Sequence, residues 1–171
     1  MRGLIFDASP LITACKFRVQ GQLVLDHLLA MSRIIIPPSV QNEVAISSRQ
    51  FADAQEAEQR ISTGAIDVVV PTAVSGNVPI ILGLYGLGDG ERDAILLTYR
   101  TDLDGAWLVM DDYLGYLVSD RLGVKKLFLL DLILRFVTQG DLDRALAAEV
   151  VEATRPRYAP AFVEHSLLLL K

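Results

Sequence analysis

The sequence predicts an α/β fold with a mostly parallel sheet. Three observations carry that expectation. Short apolar, strand-like runs alternate with helix-like segments along the 171-residue chain. Acidic residues stand at the ends of those runs, where an α/β protein gathers its strand ends and helix starts along one edge. No internal repeat or low-complexity linker interrupts the alternation.

Leu4–Phe6 reads as a short buried strand that closes on Asp7. Ser9 and Pro10 suit the start of a helix, Ser9 as N-cap and Pro10 in the first helical position. Leu23–Met31 places Leu25, Leu28 and Leu29 on one helical face. Arg33–Ile36 is the second strand, and Pro37-Pro38 ends it and starts the helix that carries Glu43. Phe51–Ile61 is an amphipathic helix, and the β-branched Ile66–Val70 a third strand. A Gly- and Pro-rich stretch follows, with a short helix near Ile80–Tyr85, and Asp89 then caps a helix over Glu91–Arg100. Trp107–Met110 is the fourth strand, closing on Asp111-Asp112; Tyr113–Leu122 is a helix stopped by Gly123. A short fifth strand is expected near Lys125–Leu129, and helices over Leu130–Gln139, Leu142–Ala153 and Pro160–Leu169.

This length suits one domain with a sizeable core, and 51% hydrophobic against 22% charged residues is a globular composition. The expectation is a single domain over residues 1–171, with a core over about 1–130 and a helical C-terminal extension over about 130–171. One cysteine, Cys15, excludes an internal disulfide and a Cys-based zinc site. No secretory signal or membrane-length apolar run is visible, so a cytoplasmic protein without membrane contact is expected. The formal net charge of −5 argues against generic duplex binding, but less against an enzyme whose acids surround cations.

Asp7, directly after a buried strand, either caps the next helix or points across the sheet edge; Ser9 already suits the cap, which leaves Asp7 free. Glu43 would ordinarily be an exposed helix residue, but it shares a face with Val40 and the Pro37–Ser39 start, near the strand edge. Glu91 and Asp93 lie about 200° apart around a helix, so they cannot both face one ion. Asp93 abuts the apolar Ala94-Ile95-Leu96-Leu97 and is favoured for the site, with Glu91 in support. Asp111 and Asp112 together form the strongest element. Two unit charges at about 4 Å repel by about 4 kcal/mol at an effective dielectric of about 20. Raised pKa values, water or a metal must offset that repulsion. Oxygen-only donors select a hard cation, Mg²⁺ or Mn²⁺, and the chemistry that follows is attack of water on a phosphodiester.

Other acid-based chemistries fit less well. A haloacid-dehalogenase-type phosphatase wants Asp where Ser9 stands, and a receiver domain wants its acid pair after the first strand. Gly86-Leu87-Gly88-Asp89-Gly90 lacks the Lys-Ser/Thr ending of a phosphate-binding loop and does not follow a strand. No Ser-His-Asp arrangement is suggested, and His27 lies on a leucine-rich helix.

Four segments in order resemble PIN-domain proteins, in particular prokaryotic predicted nucleic-acid-binding members related to VapC-type toxins. They are Leu4–Ile12, Ile36–Val44, Leu87–Ile95, and Leu108–Asp112 leading to Arg121–Val124. The resemblance implies a three-layer fold, a central mostly parallel sheet of about four to five strands flanked by helices. It implies a metal-dependent ribonuclease with Asp7, Glu43, Asp93 and Asp112 as catalytic acids. Those residues and Asp111 would surround Mg²⁺ or Mn²⁺, with Ser9 and Glu91 in support. It further implies an RNA substrate, a homodimer and an antitoxin partner that blocks the site. Lys16, Arg18, Arg49 and Arg92 are candidate RNA contacts from their proximity in sequence. Two departures stand out. Tyr113-Leu114-Gly115-Tyr116 follows the Asp pair where relatives often carry basic residues, and Phe128-Leu129 replaces a small Gly-Thr step. They motivate a second reading, a catalytically weak or inactive PIN-fold module that binds nucleic acid or protein.

Overall fold

The computed structural model describes residues 3–171. Its centre is β1 (Gly3–Phe6), flanked by β4 (Arg33–Ile36) and β6 (Trp107–Val109), with β5 (Asp67–Val68) and β7 (Lys126–Leu127) outside them. Among the described residues this is a five-stranded, all-parallel sheet of order β5-β4-β1-β6-β7. Leu4 pairs with Ile34 on one side and Trp107 on the other. A separate two-stranded hairpin joins β2 (Arg18–Val19) to β3 (Gln22–Leu23).

Apart from Arg33 at the start of β4, the central strands are apolar because both faces are covered. Leu4, Phe6, Ile34, Ile36 and Val109 point to one face, and Ile5, Ile35 and Leu108 to the other. The first face is covered by α1 (Ala8–Lys16), α2 (Val24–Met31), α3 (Pro38–Ser47), α4 (Ala52–Ser62), α8 (Leu129–Gln139), α9 (Arg144–Ala153) and α10 (Pro160–Leu169). The second is covered by α5 (Val78–Leu84), α6 (Asp89–Leu97) and α7 (Tyr113–Arg121). The three-layer α/β architecture is therefore the one the sequence predicts, and the C-terminal helices share their apolar core with β1 and β4.

The local differences have simple causes. Asp7, not Ser9, caps α1, its carboxylate accepting from the Ser9 N–H at 3.4 Å, so the helix starts at Ala8. Gly88 rather than Asp89 stands before α6. Only Asp67 and Val68 of the expected third strand pair with β4. The hairpin was not expected; Gln20 (φ 51°) and Gly21 (φ 82°) form its two-residue turn, a left-handed conformation for both.

Topology places the site. From β1 the chain builds β4 and β5 on one side, then returns to build β6 and β7 on the other. The helix after β1 packs on one face and the helix after β6 on the opposite face. A crevice opens where the helices diverge, beyond the carboxyl ends of β1 and β6. Among the described residues no helix is long and apolar enough to cross a membrane.

Candidate active site

Asp7 sits at that crevice. Its backbone N–H donates to the Val109 carbonyl at 3.1 Å, which fixes it beside the end of β6. The residue is only 4% exposed. Asp7, Ser9, Glu43, Gly88 and Glu91 line one cleft of about 380 Å³, together with Ala8, Ile12 and Ser47. The three acids come from the β1 end, α3 and α6, so tertiary packing alone brings them together.

Each acid around the cleft is held by the backbone. A Glu43 carboxylate oxygen accepts from the Gly90 N–H at 3.1 Å. Glu91 turns back to accept from the Gly88 N–H at 3.0 Å, the carboxylate half of a capping box. Asp112 caps α7, accepting from the Gly115 N–H at 2.8 Å. These contacts orient the carboxylates without neutralising them.

The electrostatics follow. Burial raises the Asp7 carboxyl from 3.8 to about 7, against the opposing backbone N–H of Ala8, and the charges of Glu91 and Glu43 add to the rise. Burial also lifts Glu43 above its ordinary range, opposed by the Gly90 N–H. Glu91 rises for the same reason, with the charges of Asp112 and Glu43 contributing. Asp7, Glu43, Glu91 and Asp112 are thus one repelling group.

The other expected residues lie differently. Asp111 turns away from the cleft: its carboxylate accepts from the Tyr158 hydroxyl at 2.5 Å and the Leu129 N–H at 3.0 Å. Burial raises its pKa despite both bonds, and it anchors the C-terminal extension. Asp93 approaches the Arg92 guanidinium at 3.5 Å and does not line the cleft; Glu91 does. The preference for Asp93 over Glu91 is thus reversed in placement. Ser9 lines the cleft, but its hydroxyl accepts from Arg157 at 2.9 Å instead of capping the helix. Of the expected RNA contacts, Arg18 pairs with Glu56 at 2.8 Å and Arg92 with Asp89 at 2.9 Å. Lys16 ends α1, about 13 Å along the helix from Asp7.

Gly88 and Gly90 are site residues that reading the sequence missed. A Cβ on Gly90 would collide with the Glu43 carboxylate, so the glycine is what lets Glu43 reach the α6 backbone. Their signal is the Gly88-Asp89-Gly90 spacing inside the Leu87–Ile95 segment, which gives neither glycine a role by itself. Arg157 and Tyr158, far along the chain, carried no sequence signal for this site.

A family described as the PIN domain matches residues 3–169. The chain belongs to the PIN-domain family. The match covers the C-terminal helices as well as the sheet. PIN domains are in general nucleases that depend on divalent metal ions. No curated protein matches the chain significantly.

The donor chemistry fits such an ion: the cleft's side-chain donors are all oxygens, three carboxylates with the Ser9 and Ser47 hydroxyls, and Asp7 is held at a raised pKa beside the charges of Glu91 and Glu43. Among the described residues, no three Asp, Glu, His or Cys side chains stand close enough to close on one ion as they are. The arrangement therefore suits a cation that keeps water in its shell, as Mg²⁺ and Mn²⁺ do in carboxylate and phosphate sites.

Proposed function

We propose that this PIN-domain protein is a Mg²⁺- or Mn²⁺-dependent endoribonuclease that hydrolyses RNA phosphodiester bonds. The observation that carries the reading is the buried Asp7, raised to about 7 at the floor of a cleft that Glu43 and Glu91 also line. Burial, more than the neighbouring charges of Glu91 and Glu43, raises that carboxyl, and a bound cation would offset both.

Asp7, Glu43 and Glu91 would hold the ion, with Asp112 adjoining them. The bound ion supplies charge neutralisation and a water of lowered pKa. The protein's own part is orientation. Gly88, Gly90 and Gly115 fix the carboxylates through their N–H groups, and Asp7 is buried away from bulk water. The resemblance to VapC-type toxins supports placing the enzyme as the toxin of a toxin–antitoxin pair, with a small partner protein covering the cleft. Expression should then arrest growth, and co-expression of the neighbouring gene should relieve the arrest.

The second reading, a non-catalytic interaction module, is favoured by the segment after Asp112, where Tyr113 is 76% exposed and no basic residue stands before Arg121. Calorimetry separates the two. Binding of Mn²⁺ that Asp7→Asn abolishes, with cleavage of single-stranded RNA that EDTA stops, supports the ribonuclease. No binding at millimolar Mn²⁺ supports the module.

A further inference from the structure

The cleft holds acids, yet its proposed substrate is a polyanion, and among the described residues seven of the chain's 16 lysines and arginines are engaged in ion pairs. Arg18, Arg33, Arg60, Arg92, Arg100, Lys126 and Arg155 all pair with carboxylates. Arg157 does not: it forms no ion pair among the described residues, and it is exposed.

Its position is set by the C-terminal extension. Arg157 ends a short 3-10 turn, Arg155–Arg157. The next residue, Tyr158, donates to Asp111 at 2.5 Å, which ties this turn to the end of β6. Arg155 in the same turn is spent on Glu152 and Glu164, at 2.7 and 2.8 Å. Arg157 instead reaches back to α1. Its Nη2 donates to the Ser9 hydroxyl at 2.9 Å and its Nε to the Thr13 hydroxyl at 3.3 Å. Ser9 is itself a wall of the cleft that holds Asp7, Glu43 and Glu91. The guanidinium therefore stands beside Ser9 at the cleft's rim, and its charge also opposes the burial that raises Asp111. Nη1 has no protein acceptor among the described residues.

We propose that Arg157 is the phosphate-binding residue of this site, taking a substrate phosphate at the Ser9 rim. An arginine fork held on one side by two hydroxyls presents its remaining N–H groups to a phosphate oxygen. The extension thereby replaces the positive charge missing after Asp112. The proposal rests on the ribonuclease reading for its substrate, but not for its test.

The test is the salt dependence of RNA binding. A labelled single-stranded oligoribonucleotide is titrated by fluorescence anisotropy between about 50 and 200 mM salt. The proteins are Asp7→Asn, which holds RNA uncut, and the same chain with Arg157→Gln or Arg157→Lys added. Arg157→Gln should weaken binding about tenfold or more and make the slope of log affinity on log salt shallower by about 0.7. Arg157→Lys keeps the charge but loses the fork to Ser9 and Thr13, and should keep the slope. An unchanged slope in Arg157→Gln overturns the proposal, as does absence of RNA binding. A slope lost equally in Arg157→Lys also overturns it, because holding Ser9 would then be the whole role. Cleavage by the wild-type chain, measured in parallel, reports on the ribonuclease reading separately.

Discussion

Replacing Asp7 by Asn should make the metal-free protein more stable, and the structure sets the size of the effect. The Asp7 carboxyl moves from 3.8 in the unfolded chain to about 7 in the fold, and its side chain is almost fully buried. The folded state therefore binds the proton more tightly, so stability falls as pH rises through 3.8 and levels off above about 7. At about 1.4 kcal/mol per tenfold in proton affinity, the full cost is about 4 kcal/mol at pH 8. Asn keeps an oxygen for the Ser9 N–H and is neutral, so Asp7→Asn should recover about 2–4 kcal/mol there. For a domain of this size that is a rise in Tm of roughly 5–15 °C. The assay is thermal or urea unfolding of both proteins in EDTA at several pH values. The two curves should converge near pH 4 and separate towards pH 8. Adding Mn²⁺ should then raise the wild-type Tm and leave Asp7→Asn nearly unmoved, since only the wild type offers the full carboxylate set. A variant less stable than wild type at pH 8 in EDTA would refute the reasoning, as would a difference that does not vary with pH.

Three further outcomes follow from the geometry. Gly90→Ala puts a Cβ against the Glu43 carboxylate and should weaken Mn²⁺ binding by about 10–100-fold in calorimetry, with little loss of stability. Tyr158→Phe leaves the partly buried Asp111 with one donor fewer and should cost about 1–3 kcal/mol in urea unfolding; an unchanged midpoint would deny Asp111 its anchoring role. Glu91→Gln should lower RNA cleavage more than Asp93→Asn, because Glu91 lines the cleft and Asp93 lies beside Arg92. The opposite order in initial rates would return Asp93 to the site.

The strands were legible because Leu4–Phe6 and Ile34–Ile36 are apolar without a break, the pattern of a sheet covered on both faces. Asp7 and the Asp111-Asp112 pair were legible as acids at strand ends. Which acid of a pair faces the cleft was not. Adjacent residues at a strand end project to opposite sides, so one of Asp111 and Asp112 had to turn away, and Tyr158 decides which. In α6 the apolar residues after Asp93 suggested burial of that acid. The deciding contact is local instead: Glu91 folds back onto the Gly88 N–H at the helix start, over the cleft. The role of Arg157 was illegible for a different reason. It depends on a contact between the C-terminal extension and α1, and no local pattern near Ser9 announces a partner so distant in sequence.

The most direct test of the central claim is cleavage of a labelled single-stranded RNA by the purified protein, followed with Mn²⁺, with EDTA, and with Asp7→Asn under both conditions. The account predicts cleavage by the wild type in Mn²⁺, none in EDTA, and a loss of at least about a hundredfold in Asp7→Asn. Equal cleavage by Asp7→Asn, or cleavage that survives EDTA, would contradict it.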